Sequence, residues 1–188
     1  MGYPTRAHFL AITLLALGGL HIAHASEEPA LVERDYHMAP PAPKAQSAAE
    51  ADAKSAGCTS CHTQTDRQTM HENPGVVLGC TDCHGGDASV MAENGNTRGP
   101  AARPAMERAH VLPRDTALWK SAANPPGVYA EQNREHPAFV RFVNPGDLRV
   151  AREACGACHL PRIEAQERSL MSTSAMLWGG AAYNNGIL

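Results

Sequence analysis

The sequence predicts a mainly α fold with extensive loops, little or no β-sheet, and a core that its own side chains do not fill. Three observations carry that prediction. The helix-forming stretches are short, and no long alternation of apolar and polar residues marks a strand. Gly (16) and Pro (14) are plentiful and break the 188-residue chain into small pieces. Aromatic residues make up only 5% of the chain, so the large rings from which a core of this size is usually built are missing. Lys and Arg number 16 against 19 Asp and Glu. That balance lacks the basic patch nucleic-acid binding requires, so no nucleic acid is expected as a partner.

The elements follow in chain order. Arg6 supplies a positive start, Phe9 to Leu20 is continuously apolar, and Ala23-His24-Ala25 has the small-x-small pattern read by signal peptidase. The apolar run falls short of the roughly 20 residues that cross a bilayer. Residues 1–25 are therefore expected to be a cleaved signal peptide, with the mature chain periplasmic, secreted or at the cell surface and without a membrane span. Residues 26–47 form a Pro/Ala-rich N-terminal segment, whose A-P-P-A-P-K-A-Q-S run predicts an extended, mobile spacer. The domain proper is expected over 48–188. Ala48 to Ala56 reads as a short helix, and Gly85-Gly86-Asp87 as a turn. Helix candidates follow at Thr116 to Ala123, at Pro137 to Val143 (equally a short strand), and at Asp147 to Ala157 with Asp147 as N-cap.

All six cysteines fall into three copies of one pattern: Cys58-Thr-Ser-Cys61-His62, Cys80-Thr-Asp-Cys83-His84 and Cys155-Gly-Ala-Cys158-His159. C-x-x-C-H is the attachment sequence of haem c. Two thiols three positions apart on one turn can each add to a vinyl group of the same porphyrin. The next residue then offers its imidazole to the iron. Three haem c groups are thus expected, bound through Cys58, Cys61, Cys80, Cys83, Cys155 and Cys158, with His62, His84 and His159 as proximal ligands. Structural zinc accounts for C-x-x-C pairs but not for a His after each one. A thioredoxin-like disulfide needs a βαβ context that is absent. A disulfide scaffold suits an exported protein but leaves the three histidines unexplained. Three large apolar macrocycles would also supply the missing core, so the chain is not expected to fold without them.

A haem iron has a second axial position. His71, in the stretch between the first two motifs, and His110, between the second and third, are the leading candidates, with His37 and His136 behind them. Met38, Met70, Met91 and Met106 are alternatives, of which Met70 and Met106 read as apolar packing beside a porphyrin. Met171 and Met176 read as the buried stripe of a helix following the third motif.

Three portions of the chain, Lys54 to Asp87, Phe139 to His159 and Ser174 to Gly186, resemble multihaem c-type cytochromes of the bacterial periplasm and cell surface, in particular the N-terminal region of larger members. The resemblance implies closely spaced, mostly bis-His haems of low potential that pass electrons along a chain, with other cytochromes as redox partners. A haem enzyme with one open iron, acting on a small nitrogen or sulfur compound, is the alternative, although four spare histidines for three irons weigh against it. The chain departs from the family at its apolar, Gly-rich end, which should pack against something: a continuation of the polypeptide or a docking partner.

Overall fold

The computed structural model describes residues 31–63, 71–116, 129–173 and 175–187. The signal-peptide reading, Met70 and all but the first residue of the helix candidate at 116–123 lie outside them. The described residues belong to one compact unit, Leu31–Leu188. The fold is mainly helical, at 52% of those residues, and has no strand among them.

The Pro/Ala-rich stretch is extended and anchored. Val32 N–H donates to the Arg114 carbonyl at 2.9 Å, Arg34 Nε to the Pro113 carbonyl at 2.8 Å, and the Tyr36 hydroxyl to the Leu112 carbonyl at 2.6 Å. Ala42 is buried. One main-chain amide and two side chains of the segment thus satisfy the carbonyls of the loop at 112–114.

Helix α1 (Ala48–Ala53) starts at Ser47, whose hydroxyl accepts from the Glu50 amide while the Glu50 carboxylate accepts from the Ser47 amide. This reciprocal cap holds the Glu50 carboxyl below its ordinary range. After a turn, α2 (Ala56–Cys61) carries the first motif. A Cβ on Gly57 would lie 2.2 Å from the Val90 carbonyl oxygen, so only glycine lets the 88–90 backbone pass beside the first thiol. Helix α3 (Cys80–His84) carries the second motif. It stops at Gly85 and Gly86, both at positive φ. Gly86 is also a point of close approach: a Cβ there would stand 2.6 Å from the Ala109 carbonyl oxygen and 2.9 Å from the Phe142 ring. Two 3-10 turns (Glu93–Gly95 and Pro100–Ala102) lead to α4 (Arg103–Ala109), which delivers His110 as its C-terminal cap.

Pro137–Val143 is helical, α5, with Pro at its first position; the strand alternative does not hold. Helix α6 (Ala151–Glu167) carries the third motif in its N-terminal half and runs on through Pro161. It begins later than Asp147 and ends well beyond Ala157. Asp147 closes a turn instead: its carboxylate accepts from the Arg149 amide at 2.9 Å, and its carbonyl accepts from Val150 and Ala151. Helices α7 (Leu170–Thr173) and α8 (Ala175–Asn184) finish the chain.

Helix α3 packs against both α5 and α6. Among the described residues, the buried apolar side chains larger than alanine are Pro113, Phe139, Val140, Val150 and Ile163, so the poverty of aromatic rings in the sequence carries through to the core. Phe139 is 0% exposed, and burying it contributes about 1.5–3 kcal/mol. Met171 and Met176 are not a buried stripe; they are 83% and 70% exposed, as are most of Leu177, Trp178 and Tyr183. Ala175 to Tyr183 is apolar on every side, and without a polar face helical spacing does not single out a face to bury.

Candidate functional site

Each cysteine pair sits within a single helix, at Cys58/Cys61 on α2, Cys80/Cys83 on α3 and Cys155/Cys158 on α6. Residues three apart on a helix share a face, so each pair presents two thiols to one side. None of the six is joined to another in a disulfide.

The three helices are tied together at these motifs. The Cys80 amide donates to the Ser55 hydroxyl at 3.0 Å, and the Thr81 amide to the Lys54 carbonyl at 3.2 Å. The Asp82 carboxylate accepts from Lys54 Nζ (2.7 Å), Gln46 Nε2 (2.6 Å) and the Gly79 amide (2.8 Å). The Cys58 and Cys80 thiols hydrogen-bond to each other, which with burial lifts Cys58 above the ordinary thiol range. The same bond pulls Cys80 down to about 6, helped by the Ser55 hydroxyl and by His84 against the opposing effect of burial. Burial and the neighbouring Cys155 both push the Cys83 thiol up. Thus α3 stands between the other two motifs, with Cys80 toward Cys58 and Cys83 toward Cys155.

The histidines show a second order. The rings of His62 and His110 have centroids 6.1 Å apart and planes 25° from parallel. His71 and His159 repeat this at 6.1 Å and 27°. A direct ring stack in the same molecule, Tyr36 on His136, closes to 4.5 Å. Two imidazoles on opposite sides of one metal stand about 6 Å apart, given a metal–nitrogen bond of about 2.0–2.1 Å as for zinc. The two pairs therefore fit an iron between each motif histidine and one of the two leading distal candidates. His110 fits in its chemistry as well. Burial, seconded by His62, lowers its pKa, which keeps a lone pair available, and its buried Nδ1 has no hydrogen-bond partner.

His84 is held differently. Its Nδ1 lies 2.7 Å from the Phe142 carbonyl. A carbonyl only accepts, so Nδ1 carries the proton and Nε2 keeps the lone pair a metal would use. The Phe142 ring meets His84 edge-on at 6.4 Å and His110 at 4.9 Å, and so bridges the first and second motifs.

The two remaining candidates are not brought to a motif histidine in this way. His136 caps α5, its Nδ1 accepting from the Ala138 amide at 3.1 Å. His37 is 85% exposed and 4.0 Å from the Asp35 carboxylate. Met91 is exposed and Met106 half-buried.

Reading the sequence missed Arg141. It is only 1% exposed and donates to the carbonyls of Cys83 (2.9 Å), Ala39 (2.5 Å), Pro40 (2.7 Å) and Asp82 (2.8 Å). The signal was available: a cation inside the apolar run A-F-V-R-F-V must either face water or be buried with partners. The carbonyl of Phe142 left no such mark, because any residue has one.

Among the described residues, no group of three or more His, Cys, Asp or Glu side chains converges on one point where it could hold a metal ion. An iron in a porphyrin asks less of the protein, two axial ligands at most. No protein-family model, no curated protein and no solved structure matches this chain.

Proposed function

We propose that this chain is an exported multihaem c-type cytochrome that carries electrons between redox partner proteins, other cytochromes among them, through three covalently bound haems. The observation that carries this reading is the joint one. Every cysteine lies in C-x-x-C-H, and two of the three motif histidines face a second imidazole at 6.1 Å.

Haem iron supplies a one-electron couple; the chain's own residues supply attachment, orientation and spacing. The paired thiols fix each macrocycle in place. His62 with His110, and His71 with His159, would hold two of the haems between paired imidazoles, which would favour electron transfer over binding of a substrate. The Phe142 carbonyl sets the tautomer and ring orientation of His84. Contacts of Cys58 with Cys80 and of Cys83 with Cys155 support an order in which the second haem lies between the first and the third. Haems held in that order would offer electrons a short path without a mobile carrier. Export rests on the apolar leader at Phe9 to Leu20. Among the described residues no helix is long and apolar enough to cross a membrane.

The test is the mass of the protein made in a host that matures c-type cytochromes, followed by acid–acetone extraction. Three added haems that resist extraction are expected. An unmodified polypeptide, or colour that leaves with the solvent, would sink the proposal. Ready carbon monoxide binding by the His62 or His159 haem after reduction would favour the open-iron enzyme instead.

A further inference from the structure

We infer that Arg141 is a potential-setting residue, whose buried guanidinium makes the haem of Cys80, Cys83 and His84 the most easily reduced of the three. The inference rests on the haem reading above and adds to it a direction of electron flow.

The guanidinium stays charged at any working pH. Its four hydrogen bonds all go to main-chain carbonyls, and among the described residues no carboxylate forms an ion pair with it. Four of its five N–H donors are thereby used, so no fork remains to clamp a haem propionate and cancel the charge. The acidic groups nearby are accounted for. Asp82 is matched by Lys54 at 2.7 Å, and Glu153 on α6 is exposed and screened by water. The Cys83 and Cys155 thiols cannot ionise once they are thioethers. What is left is a cation out of water, bonded to the carbonyl of Cys83 itself, one residue before His84.

Reduction adds one electron, drawn from dithionite in a titration or from a reduced partner protein, and no bond or proton changes hands. A fixed positive charge in a medium of low dielectric favours the more negative, reduced state. Among the described residues Arg141 is the only buried Lys or Arg; on α6, Arg152 is exposed and paired with Glu164 and Glu167. An electron entering at either outer haem would come to rest on the middle one.

The experiment is a haem-resolved redox titration, by paramagnetic NMR, of the holoprotein and of its Arg141→Gln and Arg141→Lys variants, each first weighed to verify three haems. In the unaltered protein the His84 haem should have the highest midpoint. Arg141→Gln should lower that midpoint by on the order of tenfold in the equilibrium constant, about 59 mV for one electron, and leave the other two in place. Arg141→Lys should restore most of it. A neutral variant with unchanged midpoints overturns the inference, because a purely structural clamp would not discriminate by charge. If Arg141→Gln does not fold, the ranking in the unaltered protein decides, and a His84 haem that is not the highest overturns it equally. A mass without three haems would remove the functional reading first.

Discussion

His62 and His159 each face a second imidazole at 6.1 Å, whereas His84, in the same five-residue pattern, meets the carbonyl and ring of Phe142. Of the outer motifs, the third lies on the 17-residue α6, whereas the first lies on the six-residue α2, which is tied to the 88–92 backbone through Gly57 and Ser60. The middle one lies on a five-residue helix held by Ser55, Lys54, Gln46 and Arg141. A helix that short has little stability of its own, so its place is set almost wholly by tertiary hydrogen bonds. Identical local chemistry thus stands in two settings: each outer motif histidine meets a second imidazole, and the middle motif is tied by hydrogen bonds to the segments around it.

That contrast can be broken in four ways. The largest effect should come from removing attachment at the middle. Cys80→Ser with Cys83→Ser should abolish the cooperative thermal transition seen by circular dichroism, while Cys155→Ser with Cys158→Ser should lose one haem by mass and keep a transition. Two variants that melt alike would erase the distinction.

Next in size is Arg141→Ala, which leaves four carbonyls without their donor. A cost of about 3 kcal/mol or more is expected in denaturant unfolding, since each buried unsatisfied group costs about 1–3 kcal/mol. Arg152→Ala, at an exposed ion pair, should not be measurably different from the unaltered protein. A mild Arg141→Ala would mean that the extended segment at 39–40 can leave without consequence.

A third comparison separates axial from structural histidines. His110→Ala and His71→Ala should each open one further iron, giving a larger high-spin fraction and one more carbon monoxide-binding haem than the unaltered protein has. His136→Ala should leave the spectrum unchanged and cost only the α5 cap, about 1 kcal/mol. Spectra unchanged in His110→Ala would dissolve the pairing with His62.

The smallest effect concerns acid. Burial pushes the Asp82 carboxyl up, but Lys54, the Gly79 amide and Gln46 outweigh it and leave it below its ordinary range. A carboxyl depressed in the folded state adds stability above its unfolded pKa, near 4, and loses it as pH falls through the lower folded value. Asp82→Asn should therefore flatten the fall in stability below pH 4. A slope equal to that of the unaltered protein would assign the acid sensitivity to other carboxylates.

Much of the local architecture was legible before folding. The α1 start at Ala48, the turn at Gly85-Gly86 and the mainly helical, strand-free character of the described residues all follow from composition, glycine placement and the absence of alternation. The start of α6 was misread because Asp147 is as good a turn closer as a helix cap, and the two differ only in which amide its side chain reaches. The tail was misread because an all-apolar helix has no face for its period to reveal.

The sequence by itself determined the chemistry: three C-x-x-C-H units, a supply of spare histidines, and a chain too poor in large side chains to fill its own core. These are properties of neighbours along the chain, where spacing alone decides which atoms share a helix turn. Only the tertiary structure decided which histidines meet, that His71 belongs with His159 at the far end of the chain, and that Arg141 stands beside the middle motif. Those pairings join residues far apart in sequence. They depend on how α3, α5 and α6 pack and on which carbonyls lie within reach, and residue order does not encode either in a local pattern.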